Sequence, residues 1–307
     1  MVFILKNCSK PVTMPLPTPI TPIWPATLQL GEGTLWHAAS ARFFFVDILG
    51  QAVHAWAPST DTRQTWLLPE KVGWLVPCAD GQGFVAGFQS GFVRLSLEPE
   101  LKIERLGSPH PDQPGLRLND AKADAAGRIW AGSMHHENPQ QPLGQLACLH
   151  PDGRIEIMER DIHIANGPAI SADGTVMLHT DSLLRSIYRY SLGANGQLQG
   201  KSLWKRFAVE EGEPDGMTFD AEGHVWVAFW GGGCLRRFNL AGDELQRIDL
   251  PASQITNVAF GGENLDLMLV TSARAGLSAE QLAEQPLAGA AFVLRTGVRG
   301  LVPGVWG

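Results

Sequence analysis

The sequence predicts an all-β protein, a six-bladed β-propeller with a metal-binding central channel, and three observations carry the prediction. Short apolar and β-branched runs alternate with Gly, Asp, Asn and Pro turns, and helical periodicity is nearly absent. The turns recur near residues 40, 81, 127, 174, 223 and 264, at intervals of about 40 to 50 residues, the period of a four-stranded blade. Glu32, Asn119, Asn166 and Asp215 each stand eight residues before a turn residue: Ser40, Gly127, Gly174 and Gly223.

In chain order, residues 1–21 are rich in Pro and Thr and read as a loose extension, with Met14 a possible alternative start. Residues 22–307 read as one domain. Strands are expected at Arg42–Ile48, Gly83–Phe88, Val93–Leu97, Arg128–Gly132, Val176–Thr180, Val225–Trp230 and Leu267–Thr271. Only Ser278–Glu284 has helix-forming composition. A lone twisted sheet cannot bury both of its apolar faces, so neighbouring sheets stack, and closing the ring removes exposed end blades. A segment near Thr27–Leu30 precedes the first unit and Ala291–Arg295 follows the last. The N-terminal chain is therefore expected to supply the outer strand of the final blade. One or two β-sandwiches are the competing architecture, and the sixfold turn spacing weighs against them.

Composition narrows the function. With 44% hydrophobic and 18% charged residues, 307 residues can bury a large core. A net charge of −7, with no basic run of five or more, argues against nucleic acid and anionic membranes as partners. No apolar run reaches 18 residues, and Val2–Leu5 is far short of a secretory core, so a cytoplasmic protein is expected. Cys8, Cys78, Cys148 and Cys234 are isolated in sequence and read as free thiols. Gly87–Gly91 is followed by no helix and is no nucleophile elbow. Gly231–Gly233 reads as a hairpin turn. His135-His136-Glu137 lacks the helical spacing of a zinc protease.

In a propeller the innermost strands run along the axis from one end, so residues just before them point into the channel mouth. Glu32, Asn119, Asn166 and Asp215 should therefore converge there. Carboxylates and amide oxygens crowded together repel unless protons or a cation neutralise them. Such a set suits calcium, magnesium or manganese, with zinc and ferrous iron also open. Three protein ligands would leave coordination positions for water and substrate. Turn formation is the competing explanation for Asn166-Gly167 and Asp215-Gly216. It does not account for Glu32 between two glycines.

The strings Gly31-Glu-Gly-x-x-Trp36, Phe45-Val-Asp-Ile48, Arg117-Leu-Asn-Asp120, Asp124-Ala-Ala-Gly-Arg128, Ala131-Gly-Ser-Met134, Ala165-Asn-Gly-Pro168, Pro214-Asp-Gly-Met217 and Asp220-Ala-Glu-Gly223 carry a resemblance. In this order they resemble the regucalcin/gluconolactonase (senescence marker protein) superfamily of six-bladed propeller lactonases. The match runs from about Leu28 to Pro303. Val72-Gly73-Trp74 and Asn166-Gly167-Pro168-Ala169 make the chain most similar to bacterial sugar lactonases such as xylonolactonase. The resemblance implies that Glu32, Asn166 and Asp215 bind one divalent metal and that Asp215 is also the general base. It implies that Arg117, Asn119 and Glu137 bind the substrate, a small-molecule sugar lactone, pentonic or hexonic.

Two positions depart from the family pattern: Ala121 replaces a Gly after Asn-Asp and should tighten a turn there, and Leu178 replaces an aromatic and should reshape the pocket wall. Most blade tryptophans read as core, with Trp74 a candidate for stacking on a sugar ring. A carboxylate oxygen bound to metal loses basicity, so Asp215 either works through its free oxygen or yields the attack to hydroxide held at the metal. A monomer or weak homo-oligomer is expected. The competing functions are hydrolysis of other cyclic esters or organophosphates, and a non-catalytic propeller binding calcium or a protein partner.

Overall fold

Strands of four to nine residues, separated by turn residues, form six antiparallel four-stranded sheets in a computed structural model, which describes residues 19–307. Blade 1 comprises Gly31–His37, Arg42–Asp47, Ala52–Ala57 and Thr62–Leu67. Blade 2 comprises Val72–Pro77, Phe84–Phe88, Gly91–Ser96 and Lys102–Gly107. Blade 3 runs Leu116–Ala123, Ile129–His135, Gly144–Leu149 and Ile155–Ile162. Blade 4 runs Ala165–Ile170, Val176–Asp181, Ser186–Leu192 and Leu198–Arg206. Blade 5 runs Glu213–Phe219, Val225–Trp230, Cys234–Phe238 and Glu244–Asp249. Blade 6 takes Ile255–Gly261, Leu267–Ser272 and Ala291–Leu294. Its outer strand is Thr21–Trp24, antiparallel to Ala291–Leu294. The six-bladed propeller is thus the observed fold, and the closing strand lies just before Thr27–Leu30 rather than within it. Residues 1–18 of the expected extension, with the Met14 start, lie outside the described residues; of the remainder, Ile20 packs against an apolar cluster and Thr21 belongs to the closing strand.

The core is six apolar clusters, one per interface between neighbouring blades. This is the stacking that a sheet with two apolar faces demands. Trp36, Trp74, Trp130 and Trp226 are all buried in these clusters. Trp74 lies between blades 2 and 3 beside Phe92, 5.9 Å between ring centroids. Leu178 is buried between blades 4 and 5, not in a pocket wall. Cys78, Cys148 and Cys234 are buried free thiols; Cys8 lies outside the described residues. Gly231–Gly233 is a hairpin turn, and Ala279–Glu284 is a one-and-a-half-turn helix capped by Ser278.

Blades 3 and 5 share a polar lock. Asp124 ends the inner strand of blade 3 and accepts from Trp130 Nε1 (2.8 Å) and Arg128 Nε (2.7 Å). Asp220 does the same in blade 5 for Trp226 Nε1 (3.0 Å) and Arg237 Nε (2.8 Å). Each aspartate also caps the following turn, where Gly127 and Gly223 take left-handed φ values of 76° and 78°. Beyond the last blade, the chain crosses the far end of the channel. Gly300 bonds to Leu265 of blade 6, Trp306 to Pro77 and Ala79 at the edge of blade 2, and Gly307 to Gly127 of blade 3.

Removing one partner of a buried ion pair strands the other, at about 3–5 kcal/mol. Asp124→Ala is therefore expected to lower unfolding stability by that amount in urea denaturation followed by circular dichroism. A loss below about 1 kcal/mol would contradict the lock.

Candidate metal and substrate site

Every inner strand is interrupted by a bulge near its start. The pairing register jumps between Glu32 and Leu35, Val72 and Trp74, Leu118 and Ala121, Asn166 and Ala169, Pro214 and Met217, and Ile255 and Val258. An extra residue bends a strand and re-aims its side chains. Glu32, Asn119, Asn166 and Asp215 accordingly sit inside the inner strands at these bulges, not just before them. Glu32 and Asn166 hold the last paired position, whereas Asn119 and Asp215 are the first bulged residues. Ala121 likewise sits in no turn; it is core, and its N–H donates to Asp120 Oδ1 (2.8 Å).

The bulges pack backbone to backbone around the axis. A Cβ on Gly33 would lie 2.5 Å from the Gly73 carbonyl oxygen, and one on Gly73 would lie 2.5 Å from that of Asn119. Only glycine permits this approach. It brings blades 1, 2 and 3 close enough for the bulge side chains of blades 1 and 3 to meet around the glycine of blade 2.

The amide orientations follow from the hydrogen bonds. Ser182 Oγ donates to the Pro214 carbonyl (2.7 Å), so its lone pair accepts Asn166 Nδ2 (2.9 Å). Asn166 Oδ1 is thereby turned toward Asn119, whose Nδ2 donates to it (2.9 Å) and to the Ala165 carbonyl (2.8 Å). Asn119 Oδ1 in turn accepts from Arg117 Nη1 (2.6 Å). Glu32 Oε2 accepts from Gly33 N (3.1 Å) and Asn257 Nδ2 (2.9 Å). Asp215 is buried and its Oδ1 has no hydrogen-bond partner among the described residues.

The structure thus draws together five of the six residues named from sequence. Glu32, Asn166, Asp215, Arg117 and Asn119 are all buried around the channel. Glu137 stands apart on the rim, two residues beyond the end of Ile129–His135, with its side chain 80% exposed and 3.6 Å from His136. Asn119 is committed to holding Asn166 and Arg117. Asp181 accepts from His163 N (3.1 Å) and Nδ1 (2.9 Å) rather than from the central network.

Sequence reasoning missed Asp120 and Asn257. Asp120 Oδ2 accepts from Gly167 N (3.1 Å) and Asn257 Nδ2 (3.3 Å). On a regular strand, adjacent Asn119 and Asp120 would face opposite ways; the bulge lets both serve the channel. Asn257 sits one position off the eight-residue spacing, and the irregular register of blade 6 hid it.

The electrostatics follow from burial. Glu32 is pushed up to about 8 by desolvation and then by the Asp120 charge, against the lowering pull of Gly33 N–H, Asn257 and Arg117. Desolvation, then Glu32, Asp120 and Glu213, hold Asp215 well above the usual carboxylate range. Asp120 is raised chiefly by desolvation, with Lys122 opposing. Burial lowers Arg117 to about 10 while Glu32 and Asp215 pull it up, so it stays charged at neutral pH. Three carboxylates therefore share one buried space with one guanidinium.

An orphaned carboxylate oxygen, a second carboxylate with one oxygen unbonded and a fixed amide oxygen form a hard, all-oxygen donor set that fits a divalent cation. The set depends on an amide; among the described residues no three His, Cys, Asp or Glu side chains form a metal cluster by themselves. A cavity of about 120 Å³ lies on the far side of Asp120, lined by Trp36, Trp74, Lys122 and Phe260 and covered by Leu301–Gly304. It contains none of the candidate ligands. The candidate ligands lie instead at the bulges of the inner strands.

A closed six-bladed ring with acids and amides converging on its axis defines the class: propellers with an oxygen-lined central site. Residues 30–274 match the SMP-30/gluconolactonase/LRE-like family, and the chain belongs to it. It is 35% identical over 272 residues to a 6-deoxy-6-sulfogluconolactonase of Pseudomonas putida, covering 88% of this chain and 92% of that one. To rabbit (Oryctolagus cuniculus) regucalcin it is 34% identical, covering 92% and 96% of the two chains. To a pentonolactonase of Haloferax volcanii it is 31% identical, covering 83% and 85%. Among solved structures, a luciferin-regenerating enzyme superposes with a TM-score of 0.88 at 29% identity, covering 94% of this chain and 99% of that one. A regucalcin from Agrobacterium tumefaciens, described as calcium-binding, gives 0.89 at 26%, covering 94% and 97%.

A carboxyl whose folded value exceeds its unfolded value holds an extra proton in the folded state between the two. Stability contributed this way is present below the unfolded value, near 4.5 for Glu32, and is lost as pH rises through the folded value of about 8. Metal-free protein is therefore expected to lose about 2 kcal/mol between pH 6.5 and 8. Glu32→Gln should give a shallower slope in chemical denaturation across that range, and an unchanged slope would contradict the assignment.

Proposed function

We propose that this protein hydrolyses a sugar lactone, an aldonolactone of pentonic or hexonic type, to the free acid with the help of one divalent metal. The observation that carries the reading is the buried Asp215 with its partnerless Oδ1 beside Glu32 and the fixed Asn166. The names of the relatives, a sulfogluconolactonase and a pentonolactonase, support the substrate class.

Glu32, Asn166 and Asp215 would hold the metal, which supplies Lewis-acid polarisation of the lactone carbonyl and stabilisation of negative charge developing on its oxygen. Asn119 holds the Asn166 amide in place, and Ser182 prevents it from flipping. Arg117, charged and buried beside Asn119, directs its remaining N–H groups to substrate oxygens, and Glu137 meets substrate hydroxyls from the rim. Water attacks the carbonyl carbon. Asp215 accepts the water proton on its free carboxylate oxygen and returns it to the ring oxygen as the acyl–oxygen bond breaks. A well-placed base of this kind contributes roughly 10²–10⁴-fold.

Acid release from xylono-, arabinono- and gluconolactone is expected in a pH-drop assay, lost on chelation and restored by added divalent metal. Activity indifferent to chelation would count against the metal; no activity on any lactone, with tight calcium uptake, would favour a binding protein. Asp215→Ala is expected to lower kcat by at least about 10² with an unchanged circular dichroism spectrum. Near-normal turnover by that variant would remove Asp215 from the mechanism.

A further inference from the structure

Asn257 is the best-connected side chain in the channel. It lies in the bulge of the inner strand of blade 6 and is completely buried. Its Oδ1 accepts from Thr34 Oγ1 (2.6 Å) and Val258 N (2.9 Å), while its Nδ2 donates to Glu32 Oε2 (2.9 Å) and Asp120 Oδ2 (3.3 Å). An asparagine side chain has two N–H donors and two acceptor lone pairs, and here all four are used. The Val258 N–H can only donate, so the amide cannot flip. Asp120 is itself fixed by Ala121 N and Gly167 N. A side chain on Gly216, next to Asp215, would collide with the Asn257 amide. One amide therefore touches bulges of blades 1, 3 and 5 from blade 6.

This arrangement decides which Glu32 oxygen is available. Oε2 is occupied by Asn257 and Gly33, whereas Oε1 makes no hydrogen bond among the described residues. We propose that Asn257, aligned by the Thr34 hydroxyl, is a positioning residue that locks the Glu32 carboxylate with Oε1 toward the bound cation. The role rests on the metal reading above. The chemistry explains the residue type. An amide supplies two N–H groups between two carboxylates without adding charge, whereas aspartate would face both with a third negative group. Serine is too short to reach both. Loss of such a partner behind a metal ligand typically weakens metal affinity or activity about 10- to 100-fold.

The test uses chelator-treated full-length protein titrated with Mn²⁺ or Ca²⁺ in a calorimeter. Asn257→Ser is expected to weaken uptake about 10- to 100-fold. Thr34→Val should weaken it in the same direction but less, and Thr34→Ser should restore it. At saturating metal, kcat should fall in both weakened variants with KM little changed, and the melting temperature of metal-free Thr34→Val should stay near that of the parent. If Asn257→Ser does not fold, the Thr34→Val and Thr34→Ser pair decides. Parental affinity in the folded variants overturns the positioning role alone. A parent protein that takes up no cation overturns the metal reading and this role with it.

Discussion

Close approach of backbone to backbone at the inner bulges is the constraint on which the rest of the molecule depends. Without side chains on Gly33, Gly73 and Gly216, neighbouring inner strands come near enough for side chains of different blades to bond directly. Asn119 reaches Asn166, Asn257 reaches Glu32, and Asp120 reaches Gly167, each across a blade boundary. The six apolar clusters outside this ring supply the burial that holds it closed. Glycine there loses more conformational freedom on folding than any other residue, and the interface clusters must offset that loss.

The same ring concentrates charge where folding alone would not place it. Glu32, Asp120 and Asp215 are each driven toward the protonated form, first by burial and then, for Glu32, by Asp120 and, for Asp215, by Glu32 and Asp120. Elsewhere the buried charges are matched: Asp124 meets Arg128, and Asp220 meets Arg237. The contrast separates two uses of buried carboxylates. At the ends of inner strands they tie the strands of a single blade together. On the axis they are left short of positive charge, which costs stability and would favour a cation among them.

The blade count, the turn positions and the convergence of Glu32, Asn119, Asn166 and Asp215 were legible because each blade repeats one pattern of apolar run and left-handed turn. Equal spacing concealed unequal register, however. Eight residues separate Asn166 from Gly174 and Asp215 from Gly223, yet the bulges fall one residue apart. Bulges leave little sequence signal beyond a glycine, so the inward turn of Asp120 and Asn257 was invisible to alternation. Trp74 looked free to meet a sugar because its position near the axis was legible and its packing under blade 3 was not. Glu137 was placed by resemblance alone, and only the fold puts it on the rim.

Closure of the ring joins parts of the chain that are far apart in sequence: Thr21 pairs with Val293, whereas the other pairings within each blade link near neighbours. Bringing such distant segments together costs about 1.5 kcal/mol more chain entropy than closing a loop of one blade length. During synthesis, five blades can complete before the sixth has its outer strand partner, so the first strand must wait, unpaired, for the last. The boundary between blades 6 and 1 is consequently the natural place for the mature ring to part. Glu32 and Asn257 face each other across that boundary. Whatever grips Glu32 from the channel while also holding blades 4 and 5 would act as a clasp on this seam, so occupancy of the site and the stability of the closed ring would be two readings of one equilibrium.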